Sequence, residues 1–176
     1  MSKKITLKLE TKLKALELSC LDVVLEEIFF IWQASKNINS IKTIADLSQI
    51  CGLSPDEIMR RLRELIRCNE SIKIDKINLH RLVKEKGHSL KDLICLDASF
   101  PHEKRPFTGS LGNVHFLWEE NLSDFIKNLK VLSAAKLIFC SSGKRSYSAA
   151  MYLKRQGVND LYYVKPELLK DVVVTF

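Results

Sequence analysis

The stretch Leu137-Ile138-Phe139-Cys140-Ser141-Ser142-Gly143-Lys144-Arg145-Ser146 decides how the whole chain is read. Lys136 to Phe139 has strand length and runs into a cysteine. A loop of small residues follows. Arg145 to Gln156 then has the spacing of an amphipathic helix, with Gly157 as its stop. A strand that turns directly into a helix aims main-chain N–H groups and the positive helix end at the turn. Ser141, Ser142 and Gly143 are small enough for the backbone to curl there. A thiol at position 140 is therefore expected to ionise below its ordinary range and to react near neutral pH. Lys144 and Arg145 add positive charge at the rim. Free cysteine is often a buried structural residue; the loop around Cys140 favours the reactive reading.

Working outward, Leu93–Leu96 is a compact apolar run of strand length, 113–117 and Leu161–Val164 also read as strands, and Val172–Phe176 is one more candidate. Ile72 and Ile74 suggest a short strand. Helical spacing occurs at Leu79–Lys86, before Gly87, and at Leu122–Leu129, with Asn121 or Ser123 as cap. Strands alternating with helices predict an α/β fold: a mostly parallel sheet with helices on both faces. In such a sheet ligands bind beyond the carboxyl ends of the strands, where Cys140 falls.

The first seventy residues read differently. Residues 5–18 fit a strand through Ile5, Leu7 and Leu9 or a helix through Leu9, Leu13 and Leu16. Residues 21–35 have apolar side chains on nearly every helical face, and Lys36–Ser40 is a polar break. Ile41–Cys51 predicts a helix burying Ile44, Leu47 and Ile50, with Gly52 just past its end. Ser54, Pro55 and Glu57 form a helix-start signature, and the helix they open is expected to run to about Arg67, burying Ile58, Leu62 and Leu65. The pattern changes near residue 70. The expected organisation is a small all-α domain over 1–70 and an α/β domain over 71–176.

Composition narrows the function classes. The chain has 176 residues, 46% of them apolar, enough to build cores. The most apolar run, Leu21–Trp32, holds two glutamates and is too short to cross a membrane. Lys3 and Lys4 are not followed by an apolar signal segment. Five cysteines are scattered at positions 20, 51, 68, 95 and 140, without a CxxC pair. A cytoplasmic protein without membrane association fits best. His80, His88, His102 and His115 have no metal-ligand spacing, so no metal is expected. Residues 1–70 carry 11 Lys and Arg against 10 Asp and Glu; residues 71–176 carry 17 against 11. The basic excess thus sits in the second part, where it favours anionic small substrates or an acidic partner. A solubilising lysine surface explains it equally well.

The loop Cys140-Ser141-Ser142-Gly143-Lys144-Arg145-Ser146 resembles the active-site loop of rhodanese-family sulfurtransferases: cysteine, two residues, glycine, one residue, arginine or threonine, commonly then serine. The helix from Ser146 and the turn Gly157–Tyr162 are similar to the segment that follows in that family. Leu93–Asp97 is similar to its strand ending in aspartate, and Gly109–Val114 to its lead into the next strand. The likeness covers Ile72 to the end. It implies a rhodanese-like fold with Cys140 as catalytic persulfide carrier, residues 141–146 as substrate and anion cradle, Asp97 in support, and no cofactor. Arg145 would close the loop or steer anionic substrates. Arginine falls five positions after the cysteine; similar phosphatases place it six after, where this chain has Ser146. The smaller ring suits a sulfur atom. Four features depart from the family pattern: Ser141 and Ser99, both commonly arginine; the missing glycine-histidine among Pro101–Ser110; and Lys165-Pro166-Glu167 in place of a double glycine.

By this resemblance Cys140 takes sulfane sulfur from a small anionic donor such as thiosulfate or a persulfide, and passes it to a nucleophilic thiol or protein acceptor. Two alternatives stand beside it. Ile44–Ser54 resembles the first helix and turn of many bacterial helix-turn-helix domains, and Arg60, Arg61, Arg63 and Arg67 follow on the second helix. DNA binding through residues 41–67 would make the chain a regulator whose thiol domain senses reactive sulfur. The near-neutral charge of residues 1–70 argues against this. Cys51 and Cys68, flanking that helix, are candidate redox sensors or plain core residues. The last alternative is a non-catalytic interaction protein.

Overall fold

A computed structural model of the chain describes residues 7–8, 11–16, 41–86, 93–100, 102–103, 114–117, 120–165 and 167–168. The expected helix at 21–35, the break at 36–40, Gly87, His88, Trp32, Trp118, the segment 104–113 and the strand at 172–176 lie outside the described residues. The chain divides into two compact units, Met1–Glu70 and Ser71–Phe176.

In the first unit Lys12 pairs with Thr43 in an antiparallel bridge, and Leu13–Leu16 forms a short 3-10 turn that buries both leucines. This resolves the ambiguity of that segment in favour of neither a full strand nor an α-helix. Helix α1 runs Ile44–Cys51, three residues later than expected. Thr43 sets its start: the threonine hydroxyl accepts the Asp46 N–H, and the Asp46 carboxylate accepts the Thr43 N–H. Gly52, at φ +63°, ends it in the left-handed region. Ile44 and Leu47 are buried, but Ile50 is 47% exposed and does not share their face. Helix α2 runs Pro55–Ile72, five residues beyond the expected end at Arg67, and buries Ile58, Leu62 and Leu65. Its length overturns the predicted strand at Ile72 and Ile74: Ile72 closes the helix, and only Lys73 pairs, by one parallel bridge to Tyr163. No glycine or proline interrupts the chain from Asp56 to Ile72, so the helix propagates past Glu70 despite the two isolated isoleucines.

The second unit is mixed α/β. Helix α3 (Lys76–Lys86) precedes β1 (Leu93–Asp97); then come β2 (Val114–Phe116), α4 (Leu122–Val131), β3 (Ala135–Phe139), α5 (Lys144–Arg155) and β4 (Leu161–Tyr163). The four strands lie in the order β2-β1-β3-β4, all parallel. Every residue of β1 and β3 is buried, as central strands covered on both faces require.

Register and period-two alternation assign the faces. Cys95, Leu137 and Tyr162 align in one row, on the face where Leu79 and Val83 of α3 pack with Leu93, Ala135, Phe139 and Val164. His115, Leu96, Ile138 and Tyr163 align in the other row. There the His115 ring meets Phe125 of α4, and the Tyr163 ring meets Tyr147 of α5 edge-on at 5.4 Å. Lys136 also lies on this face. It is buried, and its ammonium donates to the Leu132 carbonyl at the end of α4, where the helix dipole is negative.

The order of strands creates a switch point. The chain leaves β1 toward β2 on one side, and leaves β3 toward β4 on the other. The carboxyl ends of β1 and β3 therefore lie side by side where the chain direction across the sheet reverses. Asp97 ends β1 and Cys140 follows β3, paired in register through Asp97 and Phe139.

Candidate active site

Cys140 leaves β3, Ser141 and Ser142 are exposed, and Gly143 turns the chain into α5 with φ +79°. That left-handed conformation costs a glycine little and strains any residue with a β-carbon. It directs the Gly143 N–H at Cys140 Sγ, 3.1 Å away. The Ser146 N–H, in the first turn of α5, reaches the same sulfur at 3.4 Å. Cys140 Sγ lies 3.3 Å from Ser146 Oγ, which accepts the S–H while the thiol is neutral; the hydroxyl proton then goes to the Gly143 carbonyl at 3.1 Å and turns to the sulfur when the thiol ionises. Ser142 Oγ lies 3.8 Å from the sulfur and accepts the Lys144 N–H.

These groups compete with burial over the thiol's ionisation. Burial pushes the Cys140 thiol up. The hydroxyl and N–H of Ser146, and the hydroxyl and backbone of Ser142, pull it down, and the net position is below the ordinary thiol value. Cys140 is nevertheless 0% exposed. A reagent reaches the sulfur only when the atoms over it shift.

The residues expected to form an anion cradle divide into two groups. Gly143 and Ser146 face the sulfur, with Ser142 at longer range. Lys144 and Arg145 do not form part of an open loop: both belong to the first turn of α5, which begins one residue earlier than expected. Arg145 turns toward the segment after β1. Its Nε donates to the Ala98 carbonyl at 3.0 Å, its guanidinium stacks 4.5 Å from the centre of the Phe100 ring, and it pairs with Glu103. Its free steering charge is thus compensated.

Glu103 is the residue sequence reasoning missed. Its carboxylate accepts from Arg145, from Ser141 Oγ at 3.2 Å and from the Phe100 N–H at 3.0 Å. Burial raises its pKa, but the Phe100 N–H, Arg145 and Ser141 lower it more, and it stays ionised through the neutral range. Thirty-eight residues separate it from Ser141 and forty-two from Arg145, and no local pattern announces the pairing. Asp97 has a local role: it is buried, and Oδ1 accepts the Ser99 N–H at 2.8 Å, holding the turn after β1. Ser99 Oγ, at a position where the rhodanese pattern commonly has arginine, is buried with no hydrogen-bond partner among the described residues.

The other candidates lie apart from this loop in sequence. Arg60 and Arg61 both pair with Glu57, whose carboxyl they hold down at about 2, and Arg60 also lies near Glu64. Arg63 is exposed. Cys51 and Cys68 are half-buried and in no disulfide, and burial raises the Cys51 pKa. His102 is exposed and stacks on Phe100; the His115 ring contacts Glu120. Among the described residues no three His, Cys, Asp or Glu side chains are grouped to hold a metal ion, and no helix is long and apolar enough to cross a membrane. No family model, no curated protein and no solved structure matches this chain.

Proposed function

We propose that residues 71–176 form a rhodanese-like sulfurtransferase or sulfur carrier in which Cys140 holds the transferred sulfur. The observation that carries this reading is the environment of one sulfur atom. Cys140 Sγ sits past the end of a central parallel strand and receives main-chain N–H groups from Gly143 and Ser146. These donors stabilise a thiolate before reaction and suit the negative terminal sulfur of a persulfide afterwards. Thiosulfate or an organic persulfide serves as donor and a thiol as acceptor, in two covalent steps.

Incubation with thiosulfate or polysulfide, followed by intact mass measurement, tests the proposal. A gain of about 32 Da, mapped to Cys140, reversed by cyanide and absent from Cys140→Ser, is expected. A chain that gains no sulfur from either donor sinks it.

The second reading, DNA binding, is favoured by the three-residue turn between α1 and α2 and by the exposed Arg60 and Arg63 one helical turn apart. The Glu57 pairing of Arg60 and Arg61 weighs against it. A salt-dependent gel shift lost in the Arg60→Ala, Arg63→Ala double variant would establish it. Failure of both assays with the fold intact leaves a non-catalytic interaction protein.

A further inference from the structure

We propose that Glu103 sets which sulfur donor the Cys140 loop accepts, turning the site away from the thiosulfate dianion and toward sulfane sulfur carried on a thiol. The inference rests on the sulfur-transfer reading and narrows it. Two side-chain cations, Lys144 and Arg145, begin the helix beside Cys140. One of them, Arg145, is matched by the Glu103 carboxylate. That carboxylate also reaches Ser141 Oγ, on the residue adjoining the nucleophile. The Arg145 and Glu103 side chains are only 31% and 24% exposed, so solvent and salt screen the pair incompletely. A multiply charged anion entering over Ser141 therefore meets a carboxylate and a neutralised guanidinium. A donor with at most one charge at its reacting end loses less.

For a thiol-borne donor the step balances without a further reagent. The Cys140 thiolate attacks the outer sulfur of R–S–SH. A bond forms between Sγ and that sulfur, the donor S–S bond breaks, and its electron pair leaves on R–S⁻, which takes a proton from water. The S–H proton stays on the transferred sulfur. Cys140 is oxidised to the persulfide as the donor is reduced to a thiol.

The charge effect is separable from sulfur chemistry by alkylating Cys140 with iodoacetate and with iodoacetamide and mapping the products by mass. The two reagents differ by one charge and need the same opening of the loop, so their rate ratio isolates charge. Glu103→Gln is expected to raise the iodoacetate-to-iodoacetamide ratio at Cys140 on the order of fivefold, and Arg145→Gln to lower it. Glu103→Asp should restore the original ratio. Continued protection of Cys95, which is 1% exposed, certifies that each variant is folded. An unchanged ratio in the folded variants overturns the proposal. So does loss of Cys95 protection in both Gln variants, which would make the pair a structural tie. If only one variant unfolds, the other decides by the sign of its change. The thiosulfate-to-persulfide preference in persulfide formation should shift with the ratio in Glu103→Gln. Sulfur uptake with an unaltered preference defeats this inference alone; no uptake from any donor defeats the sulfur-transfer reading.

Discussion

Cys95 and Cys140 are both shut off from solvent, one in the middle of β1 and the other just past β3, yet their surroundings drive their chemistry in opposite directions. Cys95 lies in an apolar cluster with Leu79, Val83, Leu137 and Phe139, and burial alone pushes its thiol up to about 12. Cys140 suffers the same desolvation, but two N–H groups and two hydroxyls surround its sulfur, and the balance falls below the ordinary thiol value. Depth does not distinguish the two; the donors within reach of sulfur do. A strand interior uses its N–H groups in the ladder, whereas a strand end that passes into a helix leaves N–H groups free to turn inward.

The widest gap between the two thiols should be in alkylation. A group near 12 is about one part in a thousand ionised at pH 9, while Cys140, held below the ordinary thiol value, carries the larger thiolate fraction. With both side chains covered, iodoacetamide at pH 9 is expected to modify Cys140 on the order of tenfold to a hundredfold faster than Cys95, because the higher nucleophilicity of a high-pKa thiolate offsets part of the ionisation gap, read by peptide mass. Comparable rates would mean that access or local unfolding, not ionisation, governs both.

A smaller effect isolates one donor. Ser146→Ala removes the hydroxyl next to Cys140 Sγ and keeps the N–H. With the thiolate less stabilised, the Cys140 pKa should rise. Thiolate at pH 7 falls in proportion, so alkylation there should slow by roughly threefold to tenfold and recover at high pH. Ser146→Thr, which keeps the hydroxyl, should react like the parent. A pH–rate profile identical in Ser146→Ala and parent would show that the amides alone hold the thiol.

Much of the second unit was legible because its strands and helices carry their periods openly. Leu93–Leu96 and Leu161–Val164 are continuous apolar runs, Lys136–Phe139 is apolar after its lysine, and all three fall on strands, within one residue at their ends. The thiol loop was legible because a small-residue turn must follow a strand closely to meet the next helix. What failed had non-local or competing causes. Ile72 reads as strand from its side chain, but eighteen residues of cooperative helix carried it along. Thr43 went unread as a cap because Ile41 looked like the helix start. For Arg145 the sequence leaves open closing the loop or steering anions, and it does not say that Glu103 returns to meet the guanidinium.

The smallest expected effect uses two glycines. Gly52 ends α1 at φ +63° and Gly143 opens α5 at φ +79°, so both occupy the left-handed region. A β-carbon at Gly52 would meet nothing within 4 Å, leaving backbone strain as its cost. Gly52→Ala and Gly143→Ala should each lower stability by about 1 kcal/mol, seen as a lower denaturant midpoint at unchanged slope. Stability alone cannot tell the two sites apart, but the thiol can. The Gly143 N–H is aimed at Cys140 only while φ stays positive, so relaxation in Gly143→Ala should move the Cys140 alkylation profile to higher pH. Gly52→Ala should leave it in place. A shift in both variants would show that the thiol follows general loosening, and the contrast between Cys95 and Cys140 would then reflect how each is buried rather than which donors reach it.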